Sequence, residues 1–192
     1  MQVILIHGTF GNPYVNWFPW LAQKLEENKV KFISPNFPTP ESQDYKSWKK
    51  LLDYYDSKGL INESSIFIGH SCGSIFSARY MAEKKRKFLG LISTSGYNNF
   101  IEGDQYMRKL NESFYVEDSA LSILKTSVIE RHCFFGDNDP YIPQLYFKNF
   151  ANVLNAKSHV VHNGGHLNSN AGFNKFDDLL KTVMDIVKEH KK

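Results

Sequence analysis

The chain has 192 residues, of which 42% are hydrophobic and 22% charged, a balance typical of a folded globular protein and not of a disordered one. Its formal net charge is +3. Lysines and acidic residues are interspersed, however, and the densest basic run, residues 84–87, falls where a helix is predicted to end, so we expect no nucleic-acid partner.

Short apolar strands alternate with helical stretches along the chain. The apolar runs predict strands at 3–6, 30–33, 66–68, 89–93, 132–135 and 159–161. The patterns between them predict helices at 17–28, 45–57, 74–85, 119–126, 144–154 and 173–189. Asn16 is expected to cap the first helix, with Pro19 in its first turn. This alternation predicts an α/β fold, a mostly parallel sheet of about six strands with helices on both faces, in one domain over residues 1–192.

The location is predicted from what the sequence lacks. A strand begins almost at Met1 and leaves no room for a signal peptide, and no apolar run approaches the ~20 residues that span a membrane. Cys72 and Cys133 fall inside predicted elements and do not resemble a disulfide framework. We therefore expect a cytoplasmic protein without a membrane partner.

The least regular segment, residues 97–118, follows the fourth strand and is rich in aromatic residues. In a parallel sheet, ligands bind beyond the carboxyl ends of the strands, so this segment is placed to overhang a site. Alternatively, it is a surface connection whose aromatic residues cover the core. It is too short for a separate cap domain. The candidates for lining a substrate cleft are Tyr14, Tyr97, Phe100, Tyr106 and Met107.

The pentapeptide GHSCG, residues 69–73, lies where an apolar run stops and a helix begins. This is the context of a nucleophile elbow, a sharp strand-to-helix turn that exposes the hydroxyl of its central serine. Gly69 and Gly73 would remove side chains where strand and helix pass closest. The pattern predicts Ser71 as a nucleophile, framed by glycines that leave Cys72 pointing elsewhere.

A serine nucleophile needs a base and an acid that orients the base, in the chain order Ser, acid, His. Asp139 is the preferred acid, because Gly136 gives the chain room to turn and Pro140 fixes the backbone behind it. Asp137 competes, and either carboxylate would also serve simple turn hydrogen bonds.

His166 is the predicted base, since two glycines after the last strand give the chain freedom to aim its imidazole over the sheet. His159 and His162 are expected to point into packed faces, and His7 and His70 to be buried and hydrogen-bonded. His132 and His190 have no supporting context.

Backbone amides are expected to form an oxyanion hole for the negative charge of the tetrahedral intermediate. One donor is the amide of Cys72, and the second is that of Thr9 or Phe10 in the loop after the first strand. The glycines of that loop fit no phosphate-binding pattern, and the histidines and acids fit no metal-binding spacing, so no metal or cofactor is expected.

Six motifs together resemble a known family: VILIHGTFG, NWFPWL, PNFPTP, FIGHSCGS, FFGDNDPYIP and HNGGH. In this order over the whole chain they are similar to the compact serine hydrolases of the α/β-hydrolase superfamily that include retinoblastoma-binding protein 9 and the YdeN-type hydrolases. The resemblance implies a pared-down α/β-hydrolase without a cap domain and a triad of Ser71, Asp139 and His166. Cys72 departs from the small or aliphatic residue common after the nucleophile.

The first hypothesis is therefore a serine hydrolase that cleaves a small ester, thioester or amide through an acyl-enzyme. An interaction protein that keeps this fold with little turnover is the alternative. Acyl transfer or cleavage of short peptides on the same scaffold, and the oligomeric state, stay open at this point.

Overall fold

Six parallel strands form one sheet in the order β2-β1-β3-β4-β5-β6 in the computed structural model, which describes residues 1–100 and 102–191. The strands are β1 (Gln2–Ile6), β2 (Lys31–Ile33), β3 (Ser65–His70), β4 (Phe88–Thr94), β5 (Val128–Gly136) and β6 (Lys157–Val161). The chain first steps from β1 to β2 and then reverses to β3 on the other side of β1. A crevice forms where the order reverses, beyond the carboxyl ends of β1 and β3.

Seven α-helices are found among the described residues. They are α1 (Phe18–Glu27), α2 (Tyr45–Ser57), α3 (Cys72–Lys84), α4 (Gln105–Asn111), α5 (Leu124–Ser127), α6 (Gln144–Leu154) and α7 (Asp177–His190). None of the described helices is long and apolar enough to cross a membrane.

Helices cover both faces of the sheet, as the sequence predicts. Alternate residues of β1 point to opposite sides: Val3 and Leu5 pack with α1 and α7, whereas Ile4 and Ile6 pack with α2, α3 and α6. Both clusters consist of fully buried apolar side chains, which gives the sheet a hydrophobic layer on each face.

Two sequence predictions about helices are wrong in detail. Residues 119–126 form a 3₁₀ turn (Asp118–Leu121) followed by the single turn of α5. Ser122 and Thr126 turn their hydroxyls back to the carbonyls three residues earlier, at 2.7 and 3.1 Å, which competes with regular α-helical bonding. The last helix begins at Asp177 rather than at residue 173.

Asn16 does not cap α1, contrary to the prediction. Trp17 occupies the cap position without a side-chain bond, and the Asn16 side chain instead accepts the amide of Ser169 at 3.0 Å. Pro19 does lie in the first turn of the helix. Asn16 therefore ties the start of α1 to the loop after β6.

The basic run at 84–87 lies at the end of α3, as expected. Lys84 is 2.7 Å from Asp53 and Arg86 is 2.7 Å from Asp56, both on α2. Two of the four basic residues of the run are therefore paired with acidic residues of the same protein.

Candidate active site

Ser71 is the single residue between the end of β3 and the start of α3. Its backbone has φ 54° and ψ −127°, a strained conformation for a residue other than glycine, and its amide donates to the Thr94 carbonyl at 2.9 Å. A Cβ on Gly69 would lie 2.4 Å from Ser74 Cα, and one on Gly73 would lie 2.4 Å from the Ile6 carbonyl oxygen. Both glycines are therefore needed for the close passage of strand and helix.

Cys72 begins α3, so its amide has no acceptor within the helix and lies at the positive end of the helix dipole. Its thiol is fully buried and lies 3.3 Å from the Thr9 hydroxyl. Burial raises the pKa of this thiol to about 11, with the Thr9 contacts acting in the opposite direction. The thiol is thus protonated at neutral pH and suited to packing rather than to nucleophilic attack.

Asp139 and His166 form a buried pair. Asp139 Oδ2 is 2.7 Å from His166 Nδ1, and the two side chains are 0% and 10% exposed. The other carboxylate oxygen accepts the amides of Tyr141 and Ile142 at 2.9 and 3.1 Å, so the turn behind the acid fixes its orientation. An ionised carboxylate only accepts hydrogen bonds, so Nδ1 carries the proton and Nε2 of a neutral imidazole has a free lone pair.

Asp137 forms a second, exposed pair with His162 at 2.8 Å. It also accepts the Asn163 amide at 2.8 Å, and Asn138 accepts the Gly165 amide at 2.7 Å. These two residues fasten the loop after β5 to the loop after β6 and thereby hold the segment that carries His166. The expectation that His162 points into a packed face is wrong, because its side chain is 85% exposed.

The loop after β1 passes directly over the elbow, since a Cβ on Gly8 would lie 2.8 Å from Ser71 Cβ. Phe10, which has a positive φ of 59°, donates its amide to the Thr39 hydroxyl at 2.8 Å. Of the two predicted amides in this loop, that of Phe10 is therefore already occupied. Thr9, the residue of the other predicted donor, contacts the Cys72 thiol through its backbone and through its hydroxyl, which is 3.3 Å from the sulfur.

His7 and His70 are buried and hydrogen-bonded, as predicted. His7 Nδ1 donates to the Gly8 carbonyl at 2.8 Å, and Nε2 accepts the Phe37 amide at 3.0 Å. His70 Nε2 donates to the His166 carbonyl at 3.0 Å. Burial lowers the pKa of His70 to about 3, with the nearby His166 adding to the effect. His70 is thus a neutral support for the backbone of His166.

A cleft of about 1000 Å³ opens above Ser71 and His166 and is bordered by the loops after β1, β4, β5 and β6. Tyr14, Tyr97 and Met107 line it, as predicted. Burial raises the pKa of Tyr97 well above its usual value, and its side chain contacts Ser71, so a protonated phenol borders the nucleophile. Sequence reasoning missed Tyr141, whose ring is 5.3 Å from that of His166.

Phe100 and Tyr106 were expected in the cleft but are not part of its lining among the described residues. Phe100 packs edge-on against Tyr115 at 5.2 Å, and Tyr106 stacks on the outer side of Phe10 at 6.3 Å. Segment 97–118 therefore combines the two alternatives, a cleft border and a surface connection. It borders the cleft through Tyr97 and α4, and its other aromatic residues pack outside it.

Within the described residues, 1–100 and 102–191, the Ser71 hydroxyl and the His166 ring are not joined by a hydrogen bond. Both residues nevertheless border the same cleft, at 9% and 8% exposure. In proteins without bound substrate, catalytic hydrogen bonds are often long and tighten only in the substrate complex.

One group outside the cleft has the chemistry of a metal site. Potential ligand atoms of Glu130, Glu189 and His190 lie within 4.8 Å of one another. Glu130 lies near the start of β5, and the other two residues end α7, so the group is at the opposite end of β5 from Asp139. It is separate from the serine site.

Comparisons with known proteins agree with this architecture. Residues 3–185 match the family model described as serine hydrolase. The chain is 24% identical to the putative hydrolase YdeN of Bacillus subtilis, over 90% of this chain and 88% of that protein. It is 23% identical to the serine hydrolase RBBP9 of Rattus norvegicus, over 97% and 95% of the two chains.

Solved structures are similar in fold. The crystal structure of the B. subtilis ydeN gene product superposes with a TM-score of 0.86 at 22% identity, covering 97% of this chain and 98% of that one. A meta-cleavage product hydrolase from Pseudomonas fluorescens superposes with a TM-score of 0.75 at 14% identity, covering 98% and 91%. The fold is that of an α/β-hydrolase, and the chain belongs to the serine hydrolase family.

Proposed function

We propose that this hydrolase cleaves a small ester, thioester or amide through an acyl-enzyme formed on Ser71. The observation that carries the proposal is the buried 2.7 Å bond between Asp139 and His166, at the cleft into which the strained Ser71 opens. This arrangement leaves Nε2 of His166 free to take the serine proton. The reaction requires Ser71 Oγ to come within hydrogen-bond distance of that nitrogen, as catalytic hydrogen bonds often do only when substrate is bound.

The reaction has two halves. Ser71 Oγ attacks the substrate carbonyl while His166 Nε2 takes its proton, and Asp139 stabilises the imidazolium that forms. The imidazolium then protonates the leaving oxygen, sulfur or nitrogen, and the carbonyl re-forms as an acyl-enzyme. In the second half a water molecule, deprotonated by His166, attacks the acyl group, and Ser71 regains its proton as the acid is released.

The oxyanion would be held by two backbone amides. That of Cys72 has no acceptor within α3, and it is supported by the helix dipole. Because Thr39 occupies the amide of Phe10, we assign the second donor to Thr9. A donor of this kind typically contributes about 3 kcal/mol to transition-state stabilisation.

An interaction protein with little turnover is the alternative. It is disfavoured because Asp139 and His166 are a buried charged and polar pair beside a strained serine. Burial of a charge and backbone strain each cost free energy, so a protein that needs only the fold has no reason to keep both.

The test is labelling with a fluorophosphonate probe and hydrolysis of p-nitrophenyl esters of graded chain length, thioesters and aminoacyl amides. The wild type should be labelled and should hydrolyse at least one class. Ser71→Ala should abolish both the labelling and the hydrolysis. Ser169→Ala, at an exposed serine that borders the same cleft, should change neither. Undiminished labelling of Ser71→Ala would overturn the assignment.

A further inference from the structure

A cluster of buried polar side chains lies beneath the loop that carries Thr9 and Phe10. Gln43 is its centre: its side-chain nitrogen donates to Thr9 Oγ1 and Asn111 Oδ1, each at 2.8 Å. Its side-chain oxygen accepts the Thr39 hydroxyl at 2.5 Å. The Thr9 hydroxyl also donates to Asn111 Oδ1 at 2.8 Å. We refer to Thr9, Thr39, Gln43 and Asn111 as the Gln43 cluster.

The cluster joins parts of the chain that are far apart in sequence. Thr9 belongs to the loop after β1, Thr39 to the connection after β2, and Gln43 precedes α2. Asn111 ends α4, the helix whose residue Met107 borders the cleft. One side chain, Gln43, thus connects the loop over the elbow to the segment above the cleft.

Burial makes this arrangement costly unless its polar groups are hydrogen-bonded, and within the described residues all of them are except Asn111 Nδ2. Gln43 is 7% exposed and Asn111 is fully buried. A buried amide loses its hydrogen bonds to water, so each group of it that is left unpaired is destabilising. Both functional ends of the Gln43 amide are paired, so the side chain has a defined position from which to hold its neighbours.

Two of the contacts of Gln43 act on neighbouring residues of the loop after β1. Through Thr39, which accepts the Phe10 amide at 2.8 Å, it holds that amide away from the cleft. Through the hydroxyl of Thr9 it fixes the residue to which the second oxyanion donor is assigned, and that hydroxyl also touches the thiol of Cys72. The cluster thereby links the residues of both proposed oxyanion donors.

We infer that Gln43 is a positioning residue of the oxyanion hole, which selects the amide of Thr9 over that of Phe10 and sets its place relative to the amide of Cys72. The inference rests on the proposed function. Its consequence is that losing the Gln43 amide should weaken binding of the tetrahedral transition state while leaving the binding of the substrate ground state nearly unchanged.

The test compares Gln43→Met with Asn98→Leu. Methionine has a similar length and no hydrogen-bonding amide. Asn98 is a matched control, because its amide anchors the same segment above the cleft through Val116 and Asp118 but does not contact the loop after β1. The readouts are kcat and KM for a p-nitrophenyl ester, and the affinity of an alkyl boronic acid, which forms a tetrahedral adduct with a serine nucleophile.

Deleting an oxyanion donor outright costs about 10²–10³ in kcat, and a displaced donor should cost less. For Gln43→Met we expect kcat to fall by about 10-fold or more with KM changed by less than about 3-fold, and the boronic acid to bind weaker by a similar factor. Asn98→Leu should leave all three quantities near the wild-type values, although both variants lower the melting temperature. Equal kinetics of the two variants, or a loss confined to KM, would refute the inference.

Two further variants keep the test decisive if Gln43→Met does not fold. Thr39→Ala removes the hydroxyl that links Gln43 to the Phe10 amide, and Thr39→Ser restores it. Thr39→Ala should lose activity and boronic acid affinity in parallel, and Thr39→Ser should recover most of both; indistinguishable variants would contradict the inference. Ser71→Ala tests the proposed function separately, since full activity in that variant would overturn the function whatever the Gln43 cluster does.

Discussion

Two aspartates that lie two residues apart in the loop after β5 each pair with a histidine of the loop after β6, at nearly the same distance. Asp139 is 2.7 Å from His166, and Asp137 is 2.8 Å from His162. What separates them is burial, since the side chains of the first pair are 0% and 10% exposed and those of the second 35% and 85%. Because water screens an exposed pair, only the buried one can strongly stabilise an imidazolium.

Replacing each acid by its amide tests this difference. Asp139→Asn should lower kcat by about 10³–10⁴, because the amide no longer holds the neutral imidazole in the required tautomer. Asp137→Asn should change kcat by less than about 3-fold, since it removes only an exposed contact. Steady-state hydrolysis of a p-nitrophenyl ester by both variants gives the answer, and the reverse ranking would move the proposed role to Asp137.

Alkylation of Cys72 tests whether this thiol or the adjacent Ser71 hydroxyl is the nucleophile. Burial raises the pKa of its thiol to about 11, so the reactive thiolate is scarce below that pH. Native protein treated with iodoacetamide at pH 8 should therefore keep its hydrolytic activity and its fluorophosphonate labelling. After unfolding in urea, both cysteines should be alkylated, as mass spectrometry would show. Rapid inactivation of the native protein would assign the chemistry to the thiol.

At the scale of elements, the elbow depends on the contact between α3 and the strands beneath it. Gly73→Ala should be strongly destabilising, by about 3 kcal/mol, because its Cβ would lie 2.4 Å from a backbone oxygen of β1 that cannot move aside. Gly90→Ala in β4 is the matched control, since its Cβ would come no closer than 3.2 Å to the Ile66 side chain and 3.7 Å to the nearest backbone oxygen. Urea denaturation of both variants should show the larger loss for Gly73→Ala. Equal losses would mean that the elbow tolerates a side chain at that position.

Periodicity and motifs predicted the strands and most helices, because apolar runs report directly on burial in a parallel sheet. They missed α4, which is only seven residues long and begins with a capping bond in which Asp104 accepts the Met107 amide. The spacing between those two residues is the signal that would have found it. They also placed Phe100 and Tyr106 wrongly in the cleft, because loop residues follow no periodic pattern from which the direction of a side chain could be predicted.

In the proposed site, too, local sequence patterns predicted some residues and missed those whose role depends on contacts between distant segments. Ser71 and His166 were predicted because glycines beside them report on local backbone geometry. The Gln43 cluster escaped detection, since Thr9, Gln43 and Asn111 are ordinary polar residues whose importance comes from contacts between distant segments. No local pattern marks such residues, and only the folded arrangement of the loops brings them together.

For the molecule as a whole, buried histidines should set the stability in weak acid. Burial lowers the pKa of His70 to about 3 and that of His159 to about 4, the second with help from the charges of His132 and Lys157. Burial also lowers the pKa of His7. The His70 and His159 side chains are neutral in the folded protein at pH 5 but take up protons on unfolding below pH 6.5, so stability is lost as the pH falls through this range. The fully buried His70 contributes up to about 1.4 kcal/mol per pH unit, and the partly exposed His159 contributes less.

The free energy of unfolding from urea titrations should therefore fall by about 1.5 kcal/mol for His70 between pH 6.5 and pH 5.0, and by less for the partly exposed His159. The carboxylates with lowered pKa, such as Asp53 and Asp56, add their effect at lower pH, because in the unfolded chain they take up protons only near pH 4. His159→Gln, which cannot take up the proton, should reduce the slope by one histidine's share. A free energy of unfolding that stays constant from pH 6.5 to pH 5.0 would show that these histidines become protonated as readily in the folded protein as in the unfolded chain.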